Sequence, residues 1–511
     1  MLSLQYSGHP LFDVGLAAIT AHAQKRSPVD LTNTDLEAVA GFIENYYTQQ
    51  PLTSFLTVSL MNSDFTQPAY KDDEKRRRDY AKLVSRSLDP ELHQSSEVCV
   101  FTGQPALSIP LSLKRGKDEL QPGRAYRQHI PLITGEGVIN FSPWGDPGLP
   151  ISGVALLCLQ FFPMGCLKCS GRLLAVHSTN PKITLAFAKE ALKRNQIAIS
   201  QAKVSGQSKM TDTSSSARTS VIDTFLRVDD YQQDLRTVRQ HFSVTAYHLT
   251  NSGQSSPLDE QSPPLKIYHL PLEMVNFLAT LKGPDYREAW GKLVWRAWEK
   301  PKLSKKSSSP DVQVDDDTAT NERGRNYLYE DLFRLPAYAH GFLRRYLLRI
   351  PNRNASLVDP RRGYDIRQEL SFISWQITEL LLRKVVNMNT QRIEEIRKLG
   401  DTLATYIQEQ EDDAFFRNFF RMRSPGRFRE LLVKANYKHV KAGHDPLLEF
   451  DPYLTVFEEG KEVMRTDWSF VRDLILIRMI ERLHANQYFS KHPSALPDDA
   501  DIAITLSDSE Q

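Results

Sequence analysis

Four cysteines carry the most specific chemistry that residue type and spacing suggest in this chain. Cys166-Leu167-Lys168-Cys169 is a C-x-x-C, and two thiolates at that spacing on a turn supply one half of a tetrahedral zinc site. A structural site needs two further ligands. Cys99-Val100-Phe101-Thr102-Gly103 has the shape of a second knuckle, with Thr102 where the fourth cysteine belongs. His177 or His129 could complete the set; the alternative is a ribbon-like fold that has lost its metal. Cys158, inside the run VALLCLQFF, reads as a buried apolar residue. Four thiols in 511 residues cannot build a disulfide framework, and no strand-then-helix context makes the C-x-x-C a redox pair.

Catalytic signatures are missing from the sequence. It has no G-x-S-x-G, H-E-x-x-H, phosphate-binding G-x-x-x-x-G-K-[ST] or G-x-G-x-x-G opening a helix. Thr134-Gly135-Glu136-Gly137 comes nearest to a phosphate loop and lacks its lysine. The expectation is a protein that is not an enzyme.

Clustered cations are the stronger signal. Lys75, Arg76, Arg77 and Arg78, followed by Lys82 and Arg86, give a cationic helix face. Arg124 and Arg127 flank Tyr126 in GRAYRQH, where planar guanidiniums beside an aromatic suit phosphate or base contact. Arg344, Arg345 and Arg349 precede Arg353, Arg361 and Arg362. Between Ala414 and Lys441, Arg417, Arg421, Arg423, Arg427, Arg429, Lys434, Lys438 and Lys441 face only Glu430, interleaved with phenylalanines and Tyr437. Such a stripe can track a phosphate backbone. Each run also has a plainer explanation as a solvated helix face, with the phenylalanines in the core. The whole chain hides these clusters, since 64 Lys+Arg against 62 Asp+Glu leave a formal charge of +2.

The elements that must position these residues follow from periodicity. Residues 1–97 read as helical, and 98–204 as a strand-rich core of short apolar runs (VCVFTG, HIPLI, GVINF, VALLCLQFF, RLLAVHS) closed by a helix over Lys182–Lys203. Residues 205–326 are a mixed segment with polar loops at Ser205–Ser220, Asn251–Pro264 and Pro301–Glu322, the last including Asp315, Asp316 and Asp317. Residues 327–490 carry long 3.6-period patterns, such as Leu370 to Leu381 and Leu474 to Leu483, that predict a helical bundle. Residues 491–511 read as an acidic disordered tail. The expected fold class is α+β: a helical N-terminal part, a strand-rich zinc-ribbon-like core and a C-terminal helical bundle. No apolar run reaches the ~20 residues of a membrane span, and Met1–Arg26 lacks the pattern of a secretory signal, so a cytoplasmic protein with no membrane partner is expected.

The run from Gly123 to Ser178, preceded by CVFTGQPA and by GHPLFDVGLAAITA, resembles the CRISPR-associated CXXC-CXXC family, the large subunits of type I-B or closely related Cascade complexes. The likeness covers residues 8–20 and 98–180 and is architectural elsewhere. It places the family's first cysteine pair on Cys99 and Thr102 and the second on Cys166 and Cys169. It implies a subunit that contacts the crRNA 5′ end, recognises the short motif beside the target in double-stranded DNA and promotes R-loop formation. The implied partners are crRNA, target DNA, the other Cascade subunits, and a recruited helicase-nuclease or transposition machinery. Arg124, Arg127, Gln128 and Asn140 are the residues expected near the motif reader, against the plainer reading that Asn140 caps a turn and Arg124 pairs with a carboxylate. The C-terminal bundle looks like the small-subunit part that supports a DNA strand, and Met388 lies where a separate C-terminal product would begin. The alternative from another class is a structural zinc-ribbon interaction protein without direct DNA contact.

Overall fold

The computed structural model describes residues 4–70, 72–112, 120–132, 147–212, 216–227, 242–250, 263–300, 324–459, 463–464 and 466–506. The chain divides into two compact units, Met1–Leu272 and Glu273–Gln511.

The first unit is organised around one helix. α1 (Pro10–His22) is apolar on nearly every side, and each residue from Leu11 to Thr20 is buried. A helix of that kind has to lie inside other elements rather than on top of them. α2 (Asn33–Tyr46), α5 (Gly153–Phe161) and α6 (Pro181–Val204) pack against it, and α4 (Glu74–Arg86), which follows the short α3 (Leu52–Leu56), packs on α2 and α5. Gly15 sets the approach of α1 to α5: a Cβ at that position would overlap the carbonyl oxygen of Cys158.

The only charged residue among those buried on α1 is Asp13, which is 1% exposed. It accepts hydrogen bonds from the backbone N–H groups of Ser7 (2.7 Å) and Gly8 (3.0 Å) and from the Ser7 hydroxyl, and lies 2.9 Å from His177 Nε2. That carboxylate thereby ties the turn before α1 to a sheet strand. In the GHPLFDVGLAAITA motif, Gly8 turns the chain with φ of +88°, Pro10 opens the helix, Asp13 clasps the turn, and Gly15 with the alanines admits close neighbours. These residues hold the core together.

β1 (Arg124–Ala125) and β2 (Leu149–Pro150) form a short antiparallel pair. A four-stranded antiparallel sheet runs in the order β3 (Leu167–Cys169), β4 (Arg172–Ser178), β5 (Val244–Leu249) and β6 (Leu265–Leu270), with Leu173 opposite Leu249 and Ser178 opposite Val244. α7 (Ala217–Arg227) lies between β4 and β5 in the chain, so the polar stretch Ser205–Ser220 ends inside a helix.

Among the described residues of 98–204, helix outweighs strand. RLLAVHS is β4, and the helix over Lys182–Lys203 is α6. VALLCLQFF, expected as a strand, is α5. An unbroken apolar run fits either element when both faces are buried, and all nine residues of α5 are. Ser152 decides the outcome locally, because its side chain accepts the N–H of Ala155 and caps the helix. VCVFTG is a turn with a single bridge from Val98 to Pro105, and GVINF lies outside the described residues.

The second unit is helical. It comprises α8 (Leu272–Leu281), α9 (Pro284–Arg296), α10 (Tyr327–Leu332), α11 (Ala339–Phe342), α12 (Trp375–Leu381), α13 (Thr390–Gln410), α14 (Asp413–Arg421), α15 (Pro425–Lys441), α16 (Phe450–Phe457), α17 (Trp468–Ala485), α18 (Tyr488–Lys491) and α19 (Asp499–Leu506). A two-residue hairpin of β7 (Glu458–Glu459) and β8 (Val463–Met464) precedes α17. α17 is the centre, buried from Phe470 to Ile480 except at Arg478, and α13 crosses it with Gly400 against the Arg478 side chain. Asp473 is buried within it, 2.8 Å from His340 Nε2, 2.6 Å from Arg472 Nη2 and 3.6 Å from Arg344 Nε. Burial would raise its pKa, but Arg472, His340 and Arg344 together hold it well below the usual carboxylate range. A chain beginning at Met388 would lack two of those partners, His340 and Arg344.

The stretch 491–511 is not simply a disordered tail. Up to Leu506 it holds α18's end, a turn at Pro493–Ala495 and α19, with Asp501 and Ile502 each 1% exposed. Of the acidic residues that suggested disorder, Asp499 and Asp501 stand in the first turn of α19, where carboxylates favour a helix, Asp498 just precedes it, and Asp508 and Glu510 lie outside the described residues.

Gly15→Val should cost at least about 1–3 kcal/mol, read as a lowered denaturant midpoint, because backbone rather than a movable side chain blocks the new atoms. Asp473→Asn should cost about 3–5 kcal/mol by leaving Arg472 and Arg344 buried without their counter-ion. Since the Asp473 pKa is depressed on folding, its stabilisation is complete above about pH 4 and declines as pH falls further. The asparagine variant should lose that acid-side slope in a stability-against-pH series.

Candidate nucleic-acid interface

α4 presents the clearest cationic face. Asp73 caps it by accepting the N–H of Arg76 (2.8 Å), and Tyr80, Ala81 and Val84 anchor its inner side. Lys75, Arg78, Lys82 and Arg86 stand at i, i+3, i+7 and i+11 and are exposed, so they form one stripe along the outer side. Arg78 pairs with Glu74 (2.6 Å) in an open i,i+4 contact that water screens. No described carboxylate pairs with Lys75, Lys82 or Arg86. Two members of the expected cluster face elsewhere. Arg76 reaches the buried Asp64 (3.4 Å) and stacks 4.0 Å from the Tyr70 ring centre, and Arg77 is half-buried on the flank.

In the segment expected to read the motif, the structure separates the residues. Arg124 is buried, its Nε 3.0 Å from Glu97 Oε2 and its Nη2 on Glu97 Oε1, with Nη1 reaching the Gly148 carbonyl (3.3 Å). It fastens the β1–β2 pair and is not presented to a groove, as the plainer reading held. Gln128 is 1% exposed and equally withdrawn. Among the described residues of this set, Arg127 alone is exposed. Asn140 and the Thr134–Gly137 loop lie outside the described residues, as do 301–323 with Asp315, Asp316 and Asp317.

The cluster around Arg344 divides: Arg353 and Arg362 are exposed, and the rest is internal. Arg344 faces Asp473; Arg345 donates to the carbonyls of Ile350 (3.2 Å) and Pro351; Arg349, fully buried, pairs with Glu369 (2.8 Å) and lies 3.4 Å from the centre of the Tyr364 ring. Arg361 binds Asp331 and Asp359. Arg344 and Arg345 are therefore structural cations, corrected from the nucleic-acid set.

The stripe from Arg417 to Lys441 divides. Phe415, Phe416, Phe419, Phe420 and Phe428 are buried and hold α14 and α15 together, so none is a stacking platform. Arg417 is half-buried, Arg421 binds Asp501, and Lys438 reaches Asp412 (2.9 Å), which raises the Lys438 pKa and lowers that of Asp412. Lys434 pairs with Glu430 in an open contact (2.6 Å), while Arg423, Arg427, Arg429 and Lys441 are exposed. Beside them Val433, Tyr437 and Val440, at i, i+4 and i+7 on α15, are 59%, 68% and 45% exposed, an apolar strip within a basic face. A helical wheel drawn on α15 finds that strip, because no other element takes up those positions; the cation count does not.

The cysteines do not converge on a metal. Cys166 and Cys169 bound an extended strand, and residues three apart on a strand point to opposite faces. Cys166 Sγ donates to the Phe162 carbonyl (3.3 Å), and burial pushes its thiol, like that of Cys158, well above the ordinary range. Cys99 does sit on a knuckle-like turn, closed by Gly103 N–H to the Cys99 carbonyl (3.0 Å). Thr102 there faces the Ser152 hydroxyl (3.2 Å), His129 bonds Ser112 (2.7 Å), and His177 is engaged by Asp13. Among the described residues no three His, Cys, Asp or Glu side chains are gathered as a metal site requires.

No protein-family model, curated protein or solved structure matches the chain. Among the described residues no helix is long and apolar enough to cross a membrane.

Exposed and structural cations should separate experimentally. Replacing Lys75, Lys82 and Arg86 together with glutamate should leave each site's stability within about 0.5 kcal/mol, since none is paired or buried. Arg124→Ala should cost about 1.5–3 kcal/mol through the lost charged hydrogen bonds to Glu97. Urea unfolding of the two variants checks the contrast.

Proposed function

We propose that this protein is a non-enzymatic large subunit of a crRNA-guided, DNA-targeting Cascade complex, holding nucleic-acid backbone and reading a short motif beside the target. The observation that carries the reading is the α4 stripe, where Lys75, Lys82 and Arg86 face solvent with no described carboxylate to neutralise them. It stands in the same unit as the segments that resemble the CXXC-CXXC family. In guided complexes base pairing reads the sequence, while the protein contributes phosphate contacts and recognition of a few base pairs. A row of unpaired cations on a rigid helix suits the first task, through counterion release. Arg127, exposed just after β1, is the described residue best placed for the second.

On this reading the crRNA 5′ end and the target duplex meet the first unit, R-loop formation follows motif recognition, and the α15 face supports a strand. Cleavage or transposition belongs to a recruited partner. Co-expression with a CRISPR array and the remaining Cascade genes should yield a multi-protein particle containing guide RNA. A chain that purifies alone, free of RNA, would sink the proposal. Within the particle, Lys82→Glu with Arg86→Glu should weaken binding to all targets alike and reduce its salt dependence; a changed preference for the adjacent motif would contradict a backbone role.

A further inference from the structure

The second unit carries another basic cluster, and its own C-terminal helix covers it. Arg353, Arg367 and Arg421 come from three separate stretches and converge on the first turn of α19. Asp499 lies 3.0 Å from Arg367 Nη2 and 3.6 Å from Arg353 Nη2, and Asp501 binds Arg421 Nε. The three guanidinium side chains remain 49%, 35% and 40% exposed in that order, so they lie at the surface rather than in the core. The contacts differ in kind. Asp501 and Ile502 are buried and anchor the helix, whereas Asp499 is 71% exposed and its pairs with Arg353 and Arg367 are open to water. Asp498 adds a further negative charge in the field of Arg421.

Exposed ion pairs of this type are individually weak and screened by salt. A ligand offering several phosphates in a row would replace both Asp499 contacts at once, and release its condensed counterions in doing so. We propose that Arg353 and Arg367, the latter also paired with Asp365 (2.8 Å), form with the neighbouring Arg421 a second surface for a nucleic-acid phosphate backbone, and that Asp499 in the first turn of α19 occupies it as an internal mimic until a strand displaces that carboxylate while Asp501 stays on Arg421. The proposal rests on the nucleic-acid reading above and names a different site from α4. It also gives the acidic C-terminal stretch a role: it lowers affinity for stray polyanions while leaving the arginines in place.

The test uses the full chain with Asp498→Asn and Asp499→Asn, which leaves the buried Asp501 and Ile502 untouched. Binding of a fluorescent oligothymidylate of about twenty nucleotides is titrated at several salt concentrations. The variant should bind about tenfold more tightly near 0.1 M salt, and its plot of log affinity against log salt should steepen by about 1.4, two phosphate contacts at ~0.7 each for a single strand. Adding Arg353→Gln and Arg367→Gln should return both values to those of the parent. Asp285→Asn with Glu288→Gln, which removes equal charge from the exposed side of α9, should change neither. Unchanged affinity and slope in a variant with the parent's thermal midpoint would overturn the proposal, as would a gain that survives loss of the two arginines or no oligonucleotide binding by either chain. If no guide-RNA particle forms but the variant gains as described, the Cascade reading fails and this surface stands. If the particle forms and the variant gains nothing, only this inference fails.

Discussion

A carboxylate removed from water has to be met by donors and cations, and two such groups organise this protein. Asp13 on α1 gathers the N–H groups of Ser7 and Gly8 and the ring of His177, joining the N-terminal turn to the sheet of the first unit. Asp473 on α17 does the same in the second unit with Arg472, Arg344 and His340. Leaving either partner set incomplete would strand a charge in a low-dielectric interior, a larger penalty than most single contacts repay. Each central helix is thus held at a fixed depth and rotation, and the surrounding helices are built onto it.

The same constraint sorts the basic residues. Arg124, Arg344, Arg349, Arg361 and Arg472 are drawn inward by Glu97, Asp473, Glu369, Asp331 and Asp359. Cations without a buried acid nearby stay in water: Lys75, Lys82 and Arg86 on α4, Arg127 after β1, and Arg427 and Lys441 on α15. Among the described residues these cations stay in water, and their local density says more about the surface than the +2 of the whole chain. A third group, Arg353, Arg367 and Arg421, lies between the two: at the surface, yet covered by acidic residues of the same chain.

Much of the helical architecture was legible in the sequence. Helices were expected over Lys182–Lys203 and across Leu474 to Leu483, where the structure has α6 and α17. The run of α5 was not legible, because a segment buried on all sides shows no periodicity and its composition suits strand and helix alike. The arrangement of the C-x-x-C cysteines was not legible either. A C-x-x-C implies a shared ligand only when its backbone turns, and β3 keeps Cys166 and Cys169 extended. The phenylalanines between the arginines of α14 and α15 are in the core, as the plainer reading of that stripe had them, and Tyr437 is left exposed.

The sequence by itself determined the helical character of the N-terminal part and of the C-terminal bundle, where cations are dense, and that no disulfide scaffold or familiar catalytic signature is present, since these depend on composition and on spacing along one strand of chain. It could not determine which cation meets which acid. Arg124 and Glu97 lie 27 residues apart, Arg344 and Asp473 on separate helices, Arg421 and Asp501 80 residues apart. Pairing across such distances is decided by packing, because burial makes a charge pair obligatory only after the fold has excluded water from it. Tertiary structure therefore chose which cations are exposed, and with them the surfaces proposed above for a nucleic-acid backbone.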